Sequence, residues 1–201
     1  MSDIKVNEIK TDTIKNQAGT TAMTISGGTV TFSNSPSGIL TQGTAVTTSG
    51  SAEYGFTGIP STVTHIKFLG VGVSRGTGTG SLNIQLGDSG GYETTGYTYN
   101  PSYGYGGGGA AYYQNAVADQ SGARLALYDE SITFFADIIH FDGNQWIIKG
   151  QSHGDAAAGD GVLHSTFFTV SKTLSGVLDR VRIIDTNGTN LDGGKIKIIY
   201  G

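Results

Sequence analysis

The chain has 201 residues, a formal net charge of −4 and no cysteine, which excludes disulfide scaffolds, thiol catalysis and cysteine-ligated zinc. It has no basic run, and no lysine or arginine lies between Arg75 and Arg124, so that region lacks the phosphate-neutralising patch that nucleic-acid binding needs. Its 33 glycines and abundant threonine and serine disfavour long helices, because glycine inside a helix costs about 1 kcal/mol. The composition therefore predicts an all-β fold.

The first residues of the chain, MSDIKVNEIKTD, are polar and acidic, which is not the form of a secretion signal. No apolar stretch approaches the roughly 20 residues that a membrane-spanning helix needs. We therefore expect a soluble chain without a secretion signal and without membrane insertion.

Residues 1–37 form a polar segment in which apolar residues occur singly. Three Ile-Lys pairs recur every five residues, a spacing that fits neither a helix nor a continuous strand. The stretch TAMTISGGTVTF then indicates two alternating strands around Gly27 and Gly28. The pattern predicts an extended β segment.

This extended segment has few large side chains, and an isolated pair of strands is at best marginally stable in water. We therefore predict that identical copies intertwine here, so that residues 1–37 form a trimerisation and anchoring shaft; the alternative is a disordered tail. The residues predicted to mediate the contact between copies are the apolar ones: Ile4, Val6, Ile9, Ile14, Met23, Ile25, Val30 and Phe32.

Residues 38–201 are richer in apolar residues and predict a head domain of eight or so short antiparallel strands, a jelly-roll-like β-sandwich. In SLNIQLG, alternation places the apolar residues on one face and Asn83 and Gln85 on the other. In KIKIIYG, Lys195 and Lys197 similarly oppose Ile196, Ile198 and Tyr200. Both patterns predict half-buried strands whose polar face contacts water.

The stretch ITFFADIIHF is apolar on both faces, so we expect a strand that is central in its sheet or covered by a neighbouring subunit. Asp142-Gly143-Asn144 follows it and precedes a second apolar run, which predicts a β-hairpin. Trp146 is expected in the core or at a subunit interface. Arg180 and Arg182 share one strand face, which we interpret as solvated, with an intersubunit ion pair as the alternative.

Residues 88–123 contain seven of the ten tyrosines among many glycines and predict a long loop. Tyrosine offers a flat apolar ring with a polar tip, which suits stacking on a sugar or on a partner protein. Ligand binding, packing against a neighbouring subunit and unstructured display all stay open. The candidate ligand-binding residues are Tyr92, Tyr97, Tyr99, Tyr103, Tyr105, Tyr112 and Tyr113.

Catalytic and metal sites are not indicated by the carboxylates and histidines. A glycosidase needs two carboxylates about 5–9.5 Å apart, but Asp155 and Asp160 lie among small residues and are expected to make a turn. His153 and His164 flank the same stretch without a zinc-site spacing. GDSGG, at Asp88, supplies no general base and predicts a tight turn. We predict no enzyme activity, no metal and no cofactor.

Several stretches resemble a module of phage tail fibres and other virion proteins. They are IPSTVTHIKFLGVGVS, NIQLGDSGGYETTGY, GNQWIIKG and LDRVRIIDTNGTNLDGGKIKIIYG, and the opening MSDIKVNEIKTDTI with GTTAMTISGGTVTF is similar to the start of many phage fibre chains. The resemblance implies a homotrimer, an N-terminal part attached to the particle, an outward C-terminal part and no chemistry. The tyrosine- and glycine-rich region is richer here than in that pattern.

The function predicted from the sequence is therefore a structural component of a phage virion, a trimeric fibre or spike. It is assembled in the host cytoplasm, and its head attaches to the host surface through a glycan. The expected partners are other copies of the chain, other virion proteins and that host glycan, with no nucleic acid. The leading alternative is a capsid-decorating protein that cements coat subunits, and the third is a glycan hydrolase.

Overall fold

The structure is a computed structural model. It describes residues 13–15, 21–26, 29–32, 40–76, 81–105, 112–113, 117–127, 129–156 and 163–201; the side chains described are those of 40–76, 81–98, 121–125, 131–154 and 165–201. Every regular element in these ranges is a β-strand, and every strand pair is antiparallel, which confirms the all-β prediction. The described residues include no helix long and apolar enough to cross a membrane.

The chain divides into two compact units, Met1–Ile39 and Leu40–Gly201. In the first unit, β1 (Thr13–Lys15), β2 (Thr21–Ser26) and β3 (Thr29–Phe32) form a three-stranded antiparallel sheet in chain order. The pairing of β2 with β3 agrees with the two strands predicted around Gly27 and Gly28, which themselves lie outside the described residues.

The second unit, the head, contains fifteen strands in the described residues, more than the eight or so predicted. They are β4 (Thr41–Gln42), β5 (Val46–Thr47), β6 (Glu53–Thr57), β7 (His65–Arg75), β8 (Ser81–Asp88), β9 (Gly91–Tyr92), β10 (Tyr97–Tyr105), β11 (Tyr112–Tyr113), β12 (Val117–Gln120), β13 (Ala123–Leu127), β14 (Asp129–Asp142), β15 (Gln145–Ala156), β16 (Leu163–Thr173), β17 (Arg180–Asp185) and β18 (Leu191–Tyr200).

These strands form two sheets. The large sheet has the order β11-β10-β16-β15-β14-β7-β18-β4, with β12 also on β10 and β5 also on β18. The small sheet has the order β13-β8-β17-β6, and the short strand β9 also pairs with β8. The β14–β15 hairpin turns at Gly143 and Asn144, where Gly143 has φ +53°, and this confirms the predicted hairpin.

The two sheets share one hydrophobic core, as in a β-sandwich. Alternation along each strand puts Ile66, Ile138 and Ile148 of the large sheet fully inside, opposite buried leucines of the small sheet. The rings of Phe56 and Phe68 meet edge to face across the core at 6.0 Å. As predicted, β14 is central in its sheet, and β18 buries Ile196 and Ile198 while Lys195 is exposed.

Polar contacts also join the two sheets, and two of them are buried deeply. The buried Arg75 of β7 is paired with Asp185 of β17 at 2.6 Å. The hydroxyl of Tyr97, in β10, accepts the amide hydrogen of Leu86 in β8 at 2.8 Å. These bonds satisfy polar groups that burial would otherwise penalise, and they fix how the sheets face each other.

The predicted loop over residues 88–123 is wrong in its central part, because Tyr97–Tyr105 is a strand. All nine residues of β10 pair with β16, from Tyr97 opposite Lys172 to Tyr105 opposite His164. Tyrosine is a good strand former, and its pairing partner lies far along the chain. The GDSGG turn is confirmed, because the carboxylate of Asp88 accepts the amide hydrogen of Gly90 at 2.8 Å.

The predicted wet face of β8 is also wrong, because Asn83 and Gln85 are buried. Arg182 of β17 donates to the side-chain oxygen Oε1 of Gln85 through Nε at 2.8 Å and Nη2 at 2.6 Å. Arg182 also pairs with Glu53, and its guanidinium lies 4.2 Å from the ring centre of Tyr92. The solvated interpretation of Arg182 is therefore wrong as well: its partners are within the same chain.

Candidate functional site

The outer face of the large sheet, which points away from the core, carries a strip of exposed apolar side chains. We call it the outer strip: Leu69, Val71, Phe135 and Phe167. Val71 is 65% exposed, Phe135 44% and Phe167 54%, whereas Leu69 is partly buried. Half of the six exposed large apolar side chains in the described head therefore lie together. Contiguous exposed apolar surface of this kind marks interaction sites.

The strand register explains why the strip is continuous. Leu69 of β7 is opposite Phe135 of β14, which is opposite Gln151 of β15, which is opposite Phe167 of β16. Because neighbouring strands lie about 4.8 Å apart, the two phenylalanines are roughly 10 Å apart with Gln151 between them.

Two Phe-Phe pairs in the sequence produce this arrangement. Successive residues of a strand point to opposite faces, so Phe134 and Phe168 enter the core while Phe135 and Phe167 point outward. The ring of Phe134 packs on that of Phe68 at 5.4 Å. The strip is thus a direct consequence of apolar residues on both faces of a strand.

Shallow grooves lie on either side of the two phenylalanines. One, of about 510 Å³, is lined by Phe135, Asp137, Lys149, Phe167 and Thr169 among others. The other, of about 560 Å³, is lined by Val71, Thr133, Gln151, His153 and Ser165 among others. Both are open, mixed apolar and polar surfaces, which suit a broad contact better than an enclosed small molecule.

Four lysines lie on the same outer face: Lys67, Lys149, Lys195 and Lys197. Lys197 donates to the side-chain oxygen of Gln42 at 2.8 Å, and Lys67 is 2.9 Å from Asp137. Lys149 and Lys195 have no hydrogen-bond or ion-pair partner among the described side chains. The face therefore combines apolar surface with unpaired positive charge.

Asp137 is a carboxylate of this face, and it is held by two neighbours. Its Oδ1 lies 2.8 Å from Nε2 of His65 and 2.9 Å from Nζ of Lys67. Burial alone would raise the pKa of Asp137, but the hydrogen bonds from Lys67 and His65 outweigh it and lower the pKa below its usual value. Asp137 is therefore ionised; its ion pairs are with His65 and Lys67, and Lys149 lies opposite it in the strand register.

The predicted ligand-binding tyrosines are not gathered into one site among the described side chains. Tyr97 is fully buried, and its hydroxyl donates to the Glu93 carbonyl oxygen at 3.1 Å, so it offers no surface to a ligand. Tyr92 is partly buried beneath Arg182. Burial raises the pKa of both hydroxyls.

The other five tyrosines are described by their backbone alone, on β10 and β11, where Tyr103 is opposite Tyr112. Their side chains lie outside the described residues, and ligand binding through them stays a prediction. They are Tyr99, Tyr103, Tyr105, Tyr112 and Tyr113.

The predicted contact residues of the N-terminal segment fall into matched register rows. Ile14, Met23 and Phe32 are opposite one another across β1, β2 and β3, and Ile25 is opposite Val30. Because faces alternate along a strand, the two rows belong to one face of the sheet. The remaining predicted residues, Ile4, Val6 and Ile9, lie outside the described residues.

The described residues that were considered as metal ligands or catalytic groups do not lie together. No group of three or more potential metal ligands occurs among the described residues. Exposed His153 lies 3.4 Å from the Ser165 hydroxyl, and His140 is 2.8 Å from the Gly143 carbonyl oxygen. Asp160 and the side chains of Asp155 and His164 lie outside the described residues. Trp146 is buried in the core, one of its two predicted positions.

No protein-family model, no curated protein and no solved structure matches this chain. The sequence pattern pointed to β14 as a possible contact strand, but it missed Val71, Phe167 and the lysines. The Phe-Phe pair in β16 was the available signal for Phe167, since one member of such a pair must point away from the core.

Proposed function

We propose that the chain is a non-enzymatic structural module of a phage virion, a trimeric fibre or spike. In this proposal the N-terminal segment is the extended shaft that anchors and intertwines, and the head is a jelly-roll-like sandwich that faces outward. The observation that carries the proposal is the outer strip. Fully burying a side chain such as valine or phenylalanine contributes about 1.5–3 kcal/mol, so covering the strip with another copy would stabilise an assembly.

The N-terminal sheet supports the same proposal. A sheet of three short strands with one apolar face needs a second layer to bury that face. Ile14, Met23 and Phe32 form a row that another copy of the same sheet would match. Three copies that share such rows would build the shaft from a segment that has few apolar residues of its own.

The described charged groups inside the head are occupied by structural contacts, which supports a structural role. Arg75 pairs with Asp185, and Lys172 pairs with Glu93 at 2.5 Å. Glu93 also accepts the amide hydrogen of Ser175 at 2.6 Å. Host-surface attachment through the tyrosines of β10 and β11 remains a further part of the proposal.

Light scattering on the purified full chain tests the proposal. We expect three times the monomer mass of 20.8 kDa in the absence of any other virion protein, and a weaker assembly for a chain that begins at Gly38. A full chain that stays at 20.8 kDa at all concentrations would contradict self-assembly. A protein that decorates a capsid and orders only on its coat subunits would then be the better account.

A further inference from the structure

The turn between β17 and β18 contains Asn187-Gly188, the one Asn-Gly pair in the sequence. Asp185 ends β17, and the turn closes with a hydrogen bond from the Gly188 amide to the Asp185 carbonyl oxygen at 3.1 Å. Asn187 and Gly188 are both exposed. Asparagine before glycine is the pair most prone to lose its side-chain amide, because glycine has no Cβ to hinder attack by its own backbone nitrogen.

The backbone at Gly188 leaves room for such a reaction. Gly188 has φ +76°, and a Cβ added there would meet no atom within 4 Å among the described residues. Its amide is held by a backbone hydrogen bond at an exposed turn, and a local fluctuation is enough to open a bond of this kind. The Gly188 nitrogen can then approach the side chain of Asn187.

We propose that Asn187 is a site of spontaneous deamidation. The Gly188 nitrogen attacks Cγ of Asn187, so that an N–Cγ bond forms, the Cγ–Nδ2 bond breaks and a succinimide ring closes. The proton of the Gly188 nitrogen leaves with Nδ2 as ammonia. Water then adds to either carbonyl carbon of the ring and opens it, which leaves aspartate or isoaspartate at position 187. The reaction needs only this turn and water, so it goes beyond the proposed function and does not depend on assembly.

Asp185 links this turn to the interior of the head. Its Oδ1 accepts the amide hydrogens of Asn187 at 2.8 Å and Thr189 at 3.3 Å, while its Oδ2 accepts a hydrogen bond from Arg75 at 2.6 Å. Asp185 is 1% exposed, so these donors replace the water that its carboxylate has lost. Isoaspartate adds one carbon to the main chain at position 187. The longer backbone moves the amide donors away from Asp185 and weakens the pair that joins β7 to β17.

Mass spectrometry of the purified full chain tests the assignment. Trypsin releases residues 183–195 as one peptide, which contains Asn187 and Asn190. Asn190 is the internal control: it is also exposed, but it precedes the buried Leu191, whose amide donates to the Ser51 carbonyl oxygen at 2.8 Å. After incubation at mildly alkaline pH, we expect loss of the amide at Asn187 and its retention at Asn190, relative to a sample digested at once. Equal conversion at both positions, or none at Asn187, would overturn the proposal.

Asn187→Gln is the matched variant. Glutamine keeps the amide at this exposed turn, but its longer side chain must close a larger ring, which forms more slowly. We expect this variant to gain no acid at position 187 during the same incubation and to show the thermal unfolding of the unaltered fresh chain. An acid that forms within residues 183–195 of the variant as fast as in the unaltered chain would show that Asn187 is not the reacting residue.

Urea unfolding of the aged chain tests the effect on Asp185. Ion exchange separates the deamidated chain, and an isoaspartate methyltransferase counts the isoaspartate in it. The isoaspartate form should unfold at a lower urea concentration than the fresh chain, because Asp185 loses amide donors. Asn187→Asp carries the same charge on an ordinary backbone at an exposed position and should unfold as the fresh chain does. An isoaspartate form as resistant to urea as the fresh chain would contradict the link from this turn to the Arg75–Asp185 pair.

Discussion

Both outer faces of the sandwich are made of antiparallel strands, but they differ in how their side chains are covered. On the small sheet, polar residues are covered by the chain itself: Arg182 bonds Gln85 and Glu53 and lies against the ring of Tyr92. On the large sheet, Phe135 and Phe167 are left exposed. Apart from Asn83 Oδ1, the first face bonds within the molecule, whereas the second leaves apolar side chains exposed, so the second is the face where we propose a partner.

The sharpest test of this comparison uses two adjacent phenylalanines of β16. Phe168 is 4% exposed and Phe167 is 54% exposed. We expect Phe168→Ala to lower the free energy of unfolding by about 3–5 kcal/mol, because it leaves a core cavity. Phe167→Ala, measured by urea unfolding at a concentration where the chain is dissociated, should change it by less than about 0.5 kcal/mol. Equal losses for both would mean that the outer strip is part of the core.

A second pair compares one basic residue from each outer face. Arg182→Met should cost about 1–3 kcal/mol, because the buried Gln85 and its neighbour Glu53 lose their donor. Lys149→Met, at an exposed position, should stay within about 0.5 kcal/mol in the same urea experiment. A large loss at Lys149 would contradict the view that the large sheet's outer face contributes little to the stability of one copy.

The smallest expected effect is the change of the free energy of unfolding with pH. Burial alone would raise the pKa values of Glu93 and Asp137, but the hydrogen bonds from Lys172 and Lys67 outweigh it, so both lie below the ordinary values of 4.5 and 3.8. A depressed folded pKa contributes stability that is complete above the unfolded pKa and is lost as pH falls through the folded one. The free energy of unfolding should thus be level near neutral pH and fall below about pH 4.

Substituting each carboxyl tests whether it causes this loss of stability at low pH. Glu93→Gln and Asp137→Asn should each flatten the acid limb of the stability curve, measured by urea unfolding between about pH 3 and pH 7. Asp142→Asn, at an exposed site on the β14–β15 hairpin, serves as the control. An unchanged acid limb in both variants would show that these two carboxyls are not responsible for it.

The sequence predicted the features that depend on neighbouring residues. The Asp-Gly-Asn hairpin and the alternation of β18 follow from local turn chemistry and strand periodicity, and both are present. The strand over Tyr97–Tyr105 was missed because it exists through β16, whose Lys172 is opposite Tyr97. Asn83 and Gln85 were expected in water because the covering Arg182 lies 97 residues from Gln85.

The candidate site was predictable in part for the same reason. Phe135 belongs to a stretch that is apolar on both faces, and this indicated a covered strand. The lysines are spread over β7, β15 and β18, so only the sheet order brings them to one face. A cluster of lysines drawn from three strands depends on the strand register, and no single segment of the sequence predicts it.

Hydroxyl-radical footprinting of the unaltered full chain, read by mass spectrometry, tests the central claim that another copy covers the outer strip. Phe141, at the hairpin end of β14 and 67% exposed, is the internal control. On raising the concentration from the dissociated to the assembled range, Phe135 and Phe167 should become protected while Phe141 keeps its labelling. Equal labelling of all three phenylalanines at both concentrations would contradict the account.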